Sequence, residues 1–319
     1  MRIRILMIIM SCGLFLTSCS RSAKSDLYTI GLVQITENPL LDEARTALIA
    51  TLQDSGLVDG RDIRIIYHNA QGEIANINLI LQSFRSAKVD MVITSGTPCM
   101  LAAAQIFSDI PVVFTVSFSP EQIGFKLTAE NVAGIYDPLD LAYFLEIVKT
   151  IRPDCSRLGL PYNPAEANSR FAAERLEAEC RRNNLILETA TVASSNDVLQ
   201  VGQSLIHKKV DAFIVAADNT VALAMNALVK ISHENKIPIF TTEPGEVRKG
   251  ALAGMGVSYT DWGRESGALA ATIIKRQTFP QPRIRPTSYK NIVLNQKVAR
   301  LLGLTLPPEL IRKATAIIQ

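Results

Sequence analysis

Short, β-branched apolar runs alternate with amphipathic stretches along nearly the whole chain, and the alternation recurs twice in the same order. In the first half, Tyr28 to Ile35, Ile63 to Tyr67, Met91 to Thr94 and Val112 to Thr115 read as strands. Between them, 39–55, 74–87 and 98–107 carry helical spacing. In the second half, Arg157 to Leu160, Leu185 to Val192, Ala212 to Val215 and Ile239 to Thr241 read as strands, separated by helical stretches at 163–183, 197–208 and 219–234. Strands alternating with helices imply crossover connections and parallel sheets. The halves also echo each other in detail. Lys88-Val89-Asp90-Met91-Val92-Ile93 corresponds to Lys209-Val210-Asp211-Ala212-Phe213-Ile214, and Ile110-Pro111-Val112 to Ile237-Pro238-Ile239, each in the same slot of its half. The expected fold class is therefore α/β, two doubly wound parallel-sheet lobes.

Further on, Ala251 to Val257 reads as extended, 261–276 as a helix and Phe279 to Pro286 as a Pro-rich connector. Asn291 to Leu294 reads as a strand, and 296–302 and 310–318 as helices. A segment beyond the connector can return to the first lobe. The expected division is an N-lobe of 27–137 plus 287–319 and a C-lobe of 138–286. Because the chain crosses between them more than once, the joint is a multi-crossover hinge rather than a loose linker. Local signals are expected to set two helix starts. Asn163, Pro164 and Glu166 have the spacing of a capping box, and Thr97 precedes Pro98 as a helix cap.

The N-terminus has its own logic. Arg2 and Arg4 precede an apolar run from Ile5 to Leu16, followed by Leu16-Thr17-Ser18-Cys19. A charged start and a short apolar core describe a secretory signal over 1–18, too short to span a bilayer. Leu-Thr-Ser-Cys resembles the bacterial lipobox, which implies lipidation of Cys19 and anchoring by two or more acyl chains. The polar segment 19–26 is a flexible tether. These features place the body on the extracytoplasmic side of a bacterial membrane, held there by lipid.

The formal net charge is +3, and losing Arg2 and Arg4 leaves the body close to neutral. It has no basic stripe, so nucleic-acid binding is not expected. Cys99, Cys155 and Cys180 would remain in the mature chain, without a CxxC pair or a Cys/His cluster. No metal site is expected, and three buried thiols are the expected state, Cys155 and Cys180 being the one local pair that could bridge. His68, His207 and His233 sit on separate elements and read as structural. No GxSxG, HExxH, P-loop or GxGxxG motif is present, which points to binding without chemistry and without a cofactor.

In open parallel sheets, ligands bind beyond the carboxyl ends of the strands, where helix N-termini also point. That rule selects Gln34 to Thr36, Gly96, Thr97, Ser117 and Phe118 in the first lobe. In the second it selects Tyr162, Asn163, Asp218, Asn219, Thr220 and Thr241 to Glu243, with Tyr259 following closely.

The strings Thr94 to Pro98, Asn131 to Gly134, Tyr162 to Ser169, Asp218 to Thr220, Gly250 to Ala253 and Gly303 to Pro307 resemble those of ABC-transporter substrate-binding proteins. The resemblance is to the group with a type I periplasmic-binding fold that includes tryptophan- and tyrosine-binding lipoproteins, and it covers essentially the whole mature chain. It departs at Val116-Ser117-Phe118-Ser119-Pro120, where the family often carries a Ser-Asp-Pro string. The resemblance implies a monomeric, non-enzymatic binding protein that hands a small ligand to a permease and an ATPase. The implied ligand is an amino acid, aromatic in kind, its ammonium at Asp218 and its carboxylate at Thr97. A sensor feeding a receptor, and an extracytoplasmic enzyme on the same scaffold, are the alternatives.

Overall fold

The computed structural model describes residues 27–128, 130–288 and 290–319. The expected signal at 1–18, the tether at 19–26 and Cys19 lie outside the described residues.

The first lobe starts with β1 (Tyr28–Gln34), α1 (Pro39–Asp54), β2 (Ile63–Asn69) and α2 (Ile74–Ser86). β3 (Met91–Ser95), α3 (Thr97–Ile106), β4 (Val112–Ser117) and β5 (Val132–Tyr136) follow. α1 begins where Asn38 accepts a bond from the Leu40 N–H and Pro39 needs no partner for its nitrogen. The second lobe contains α4 (Leu141–Ile151), β6 (Arg157–Tyr162), α5 (Ala167–Arg182), β7 (Ile186–Thr191) and α6 (Val198–His207). It continues with β8 (Ala212–Val215), α7 (Asn219–Leu223), α8 (Met225–Glu234), β9 (Ile239–Thr241) and β10 (Ala253–Gly256). The chain then returns to the first lobe as α9 (Tyr259–Arg276) and β11 (Ile284–Pro286). It crosses a last time to give β12 (Asn291–Asn295), α10 (Gln296–Leu302), α11 (Pro308–Lys313) and β13 (Ala316–Ile318).

The first sheet runs β2-β1-β3-β4-β5-β11 and the second β7-β6-β8-β9-β10-β12-β13. Every pair is parallel except β10 with β12. The two lobes thus share one strand order, as the sequence echo requires. Each sheet is covered on both faces. In β3, Met91 and Ile93 enter one apolar cluster with α1 and α9, while Val92 enters another with α2 and α3. This two-sided burial explains why the strands read as near-continuous apolar runs.

The expected lobe boundaries need correction. The segment 287–319 belongs to the second sheet through β12 and β13, whereas α9 and β11 belong to the first lobe. α9 is drawn there because Gly263 and Gly267 let its backbone sit against the carbonyls of Ala44 and Leu48 in α1. Trp262 then reaches under the sheet and donates to the Ile135 carbonyl at 2.7 Å. The Pro-rich connector contains an edge strand, β11, and the terminal stretch 310–318 is a short helix followed by β13. The stretch 219–234 is two helices that meet at Ala224.

The crossings lie side by side. Lys290 pairs with Asp140 at 2.7 Å, tying the first crossing to the third. Glu265 of α9 accepts from the Thr287 hydroxyl at 2.6 Å and the Ser288 N–H at 3.1 Å. Cys99, Cys155 and Cys180 are buried free thiols.

Candidate ligand-binding site

Between the lobes lies a narrow cleft lined by residues of both. It sits at the carboxyl ends of both sheets, where the strand order turns back. Gly96, Thr97, Ser117, Phe118, Asp218, Asn219 and Tyr259, all selected from the sequence, line it.

On the first lobe, β3 delivers Gly96 and Thr97. Gly96 has φ +104°, and a Cβ there would meet the Ile35 side chain, so only glycine fits. Gly96, not Thr97, is the N-cap of α3, and no side chain caps the first turn. The Thr97 hydroxyl is instead 3.1 Å from that of Ser117, which donates to the Phe118 carbonyl at 2.9 Å. The uncapped helix start presents free N–H groups and the positive end of the helix dipole beside the cleft.

On the second lobe, Asp218 is buried. One carboxylate oxygen caps α7 by accepting from the Val221 N–H at 2.8 Å. The other accepts from the Asn163 N–H and the Ser169 hydroxyl, both at 2.6 Å. Burial, then the nearby Glu166, push its pKa up to about 6.

Asn163 and Tyr162 lie outside this inner cleft. Asn163 lines the outer mouth between the lobes with Ile35 and Pro98, and Tyr162 packs on the second lobe's core. The capping box expected there does not form. Glu166 turns away to accept from the N–H groups of Asn219 and Thr220 at 3.1 and 3.0 Å, capping α7 from outside, and α5 begins only at Ala167.

The cleft also contains Thr242 and Glu243, both selected from the sequence, and Asp137, which was not. Asp137 follows β5, a strand that sequence reading missed; had it been recognised, the strand-end rule would have selected Asp137. Burial raises its pKa to about 6. Glu243, two residues past the end of β9, accepts from the Tyr259 phenol at 2.7 Å, and burial followed by Glu246 raises its pKa to about 8. Asn168, Ala217, Thr242, Val257 and Trp262 complete the wall with Val116. Val116 has φ +48°, unusual for a β-branched residue, at an irregularity in the pairing of β4 with β5. No Lys, Arg or His lines the cleft among the described residues, whereas three carboxyl groups do.

The lobes touch around the cleft. The rings of Phe118 and Phe171 lie 4.9 Å apart across the gap, Gly245 packs on Leu40, and Arg248 pairs with Glu43 at 3.0 Å.

The family described as ABC transporter substrate binding protein matches residues 29–318. The chain belongs to this family. A tyrosine-binding protein of Clostridioides difficile is 32% identical over 279 residues, covering 86% of this chain and 81% of the relative. Among solved structures, a domain in complex with L-Trp from Streptococcus pneumonia superposes with a TM-score of 0.85 at 25% identity, covering 92% of this chain and all of that one. The ligand-free, open structure of a substrate binding protein with adhesive properties from Clostridium difficile gives 0.68 at 31% identity, with the same coverage. The fold is that of the type I periplasmic-binding proteins, and membership brings the function of a substrate-binding protein. The less similar sequence superposes better. No helix among the described residues is long and apolar enough to cross a membrane.

Proposed function

We propose that this protein is the extracytoplasmic, lipid-anchored binding component of an ABC importer, and that it captures a free aromatic amino acid by closing its two lobes. One observation carries the reading: an uncapped helix N-terminus of one lobe, a carboxylate of the other and three aromatic side chains line the same interlobe cleft. The first suits a ligand carboxylate. Asp218 supplies negative charge for a ligand ammonium. Phe118, Tyr259 and Trp262 offer apolar walls. The tyrosine and tryptophan ligands of the relatives support this chemistry, and the compact lobe arrangement supports capture by closure.

The magnitudes suffice. An aromatic side chain buries ~150–250 Å², which contributes ~4–6 kcal/mol at ~25 cal/mol per Å². Micromolar affinity needs about 8 kcal/mol, so charge-assisted bonds supply the rest and offset the ordering cost. The protein then hands its ligand to permease and ATPase subunits without chemical change. Calorimetry with purified protein against free amino acids, sugars and purines tests the ligand class. Tight binding of L-tyrosine or L-tryptophan is expected. Binding of a sugar or an uncharged base, with no response to any amino acid, would refute the assignment.

A further inference from the structure

Two buried polar atoms of residues in the cleft wall have no hydrogen-bond partner among the described residues: Asn168 Oδ1 and Thr242 Oγ1. Both residues are only 5% exposed, and both line the cleft. An unsatisfied polar atom in such a position is costly, and of the eight among the described residues only these two belong to residues that line the cleft.

The orientation of Asn168 is forced. Its Nδ2 donates to Glu166 Oε2 at 3.1 Å and to the Ala217 carbonyl at 2.9 Å. Flipping the amide would set its oxygen against two acceptors, so Oδ1 must be the free atom, and it can only accept. The Thr242 main chain is anchored as well. Its N–H donates to the Val215 carbonyl at 3.0 Å. Both residues therefore hang from the carboxyl end of β8, at positions two residues apart. Asp218 follows directly, but three donors already occupy its two oxygens. Its carboxylate gives the subsite charge, while Asn168 and Thr242 have the acceptor capacity still to be filled.

We infer that Asn168 Oδ1 and Thr242 Oγ1 are the direct acceptors for the ligand's ammonium group, with Asp218 behind them as the counter-charge. This rests on the amino-acid reading above and adds which atoms recognise the amine. Among the described residues no cationic side chain lines the cleft, so a positively charged ligand group meets carboxyl groups there and no like charge. A primary ammonium has N–H groups for both acceptors. A desamino analogue leaves both unsatisfied, so the subsite selects for the amine rather than for the ring.

Thr242→Val is the clean test, because the hydroxyl it removes bonds nothing in the empty protein and the shape is kept. Asn168→Leu is the companion variant. It also loses two internal bonds, so its melting temperature is measured alongside. The probes are L-tyrosine and L-tryptophan, each compared with its desamino analogue, 3-(4-hydroxyphenyl)propionate or 3-(indol-3-yl)propionate. The wild type should favour the amino acid strongly. Thr242→Val should melt as the wild type does, yet bind the amino acid roughly tenfold more weakly, with little change for the analogue. Asn168→Leu should shrink the same preference. If both folded variants keep the full preference for the amine, the subsite is elsewhere and the amino-acid reading stands. If the wild type binds neither amino acid, that reading falls and the subsite falls with it.

Discussion

Tyr259 donates its phenolic hydrogen to Glu243 Oε1 at 2.7 Å, joining the first helical residue of α9 to the turn that ends β9. The bond spans the lobes and lies in the cleft wall. Burial, and then the neighbouring Glu246, keep the Glu243 carboxyl protonated well above its ordinary range, up to about 8 from 4.5. Tyr259 is in turn held far above the ordinary phenol value by burial and by Glu243, so the pair is a neutral phenol on a largely neutral acid at pH 7.

A pH dependence of stability follows. The folded state holds the Glu243 proton more tightly than the unfolded chain does. Its contribution is full below pH 4.5 and is lost as pH rises through about 8. Asp137 and Asp218, each raised from 3.8 to about 6, act with the same sign at lower pH. The empty protein should lose melting temperature between pH 6 and 8, and Glu243→Gln, which mimics the protonated acid, should flatten that slope. Calorimetric melting of both forms across the range checks it; equal slopes would place the linkage elsewhere.

Asp218→Asn should have a double effect. A residue serving only as a ligand anchor would leave the empty protein untouched. Here the N–H groups of Asn163 and Val221 and the Ser169 hydroxyl converge on it, and an amide must turn a donor toward one of them. Unfolding free energy should fall by about 1–3 kcal/mol. Ligand affinity should fall at least tenfold with loss of the counter-charge. Denaturant melts and calorimetry on one preparation separate the two effects.

The frame was legible in the sequence because both halves place strand, turn and helix in one order, and buried parallel strands announce themselves as apolar runs. What escaped was set by partners distant in sequence. Nothing local tells that Gly263 and Gly267 bring α9 against α1, so 287–319 was expected in the lobe that α9 and β11 in fact complete. Asn163, Pro164 and Glu166 have a cap's spacing, but the α7 N-terminus takes the carboxylate. Asn168 is one helical asparagine among many until Glu166 and Ala217 are seen to hold its amide. The strand-end rule, by contrast, needs only strand ends, and it found Gly96, Thr97, Ser117, Phe118, Asp218 and Asn219 on both walls.

Lipidation at Cys19 is testable without reference to the fold. Metabolic labelling with a fatty-acid analogue should mark the wild type, and Cys19→Ala should abolish the label and release the protein from the membrane fraction. An unlabelled wild type would end the anchor proposal.

The contact of Phe118 with Phe171 separates closure from recognition. Phe118 lines the cleft and meets Phe171 of α5 across it, while Phe171 is absent from the cleft wall. A ring pair of this kind contributes ~0.5–1.5 kcal/mol beyond its buried area. If the pair favours the closed state, Phe171→Ala should weaken every ligand by about the same factor, roughly two- to tenfold, because it acts on the lobe equilibrium shared by all of them. Phe118→Ala should do this and also reduce the preference for aromatic over aliphatic amino acids, since it removes part of the wall. Small-angle scattering supplies the second readout. Ligand should shrink the radius of gyration of the wild type, and Phe171→Ala should need more ligand to reach the same compact state. A Phe171→Ala protein with wild-type affinity would show that the ring pair contributes nothing to closure, and a confirmed ligand that leaves the scattering curve unchanged would remove lobe closure itself.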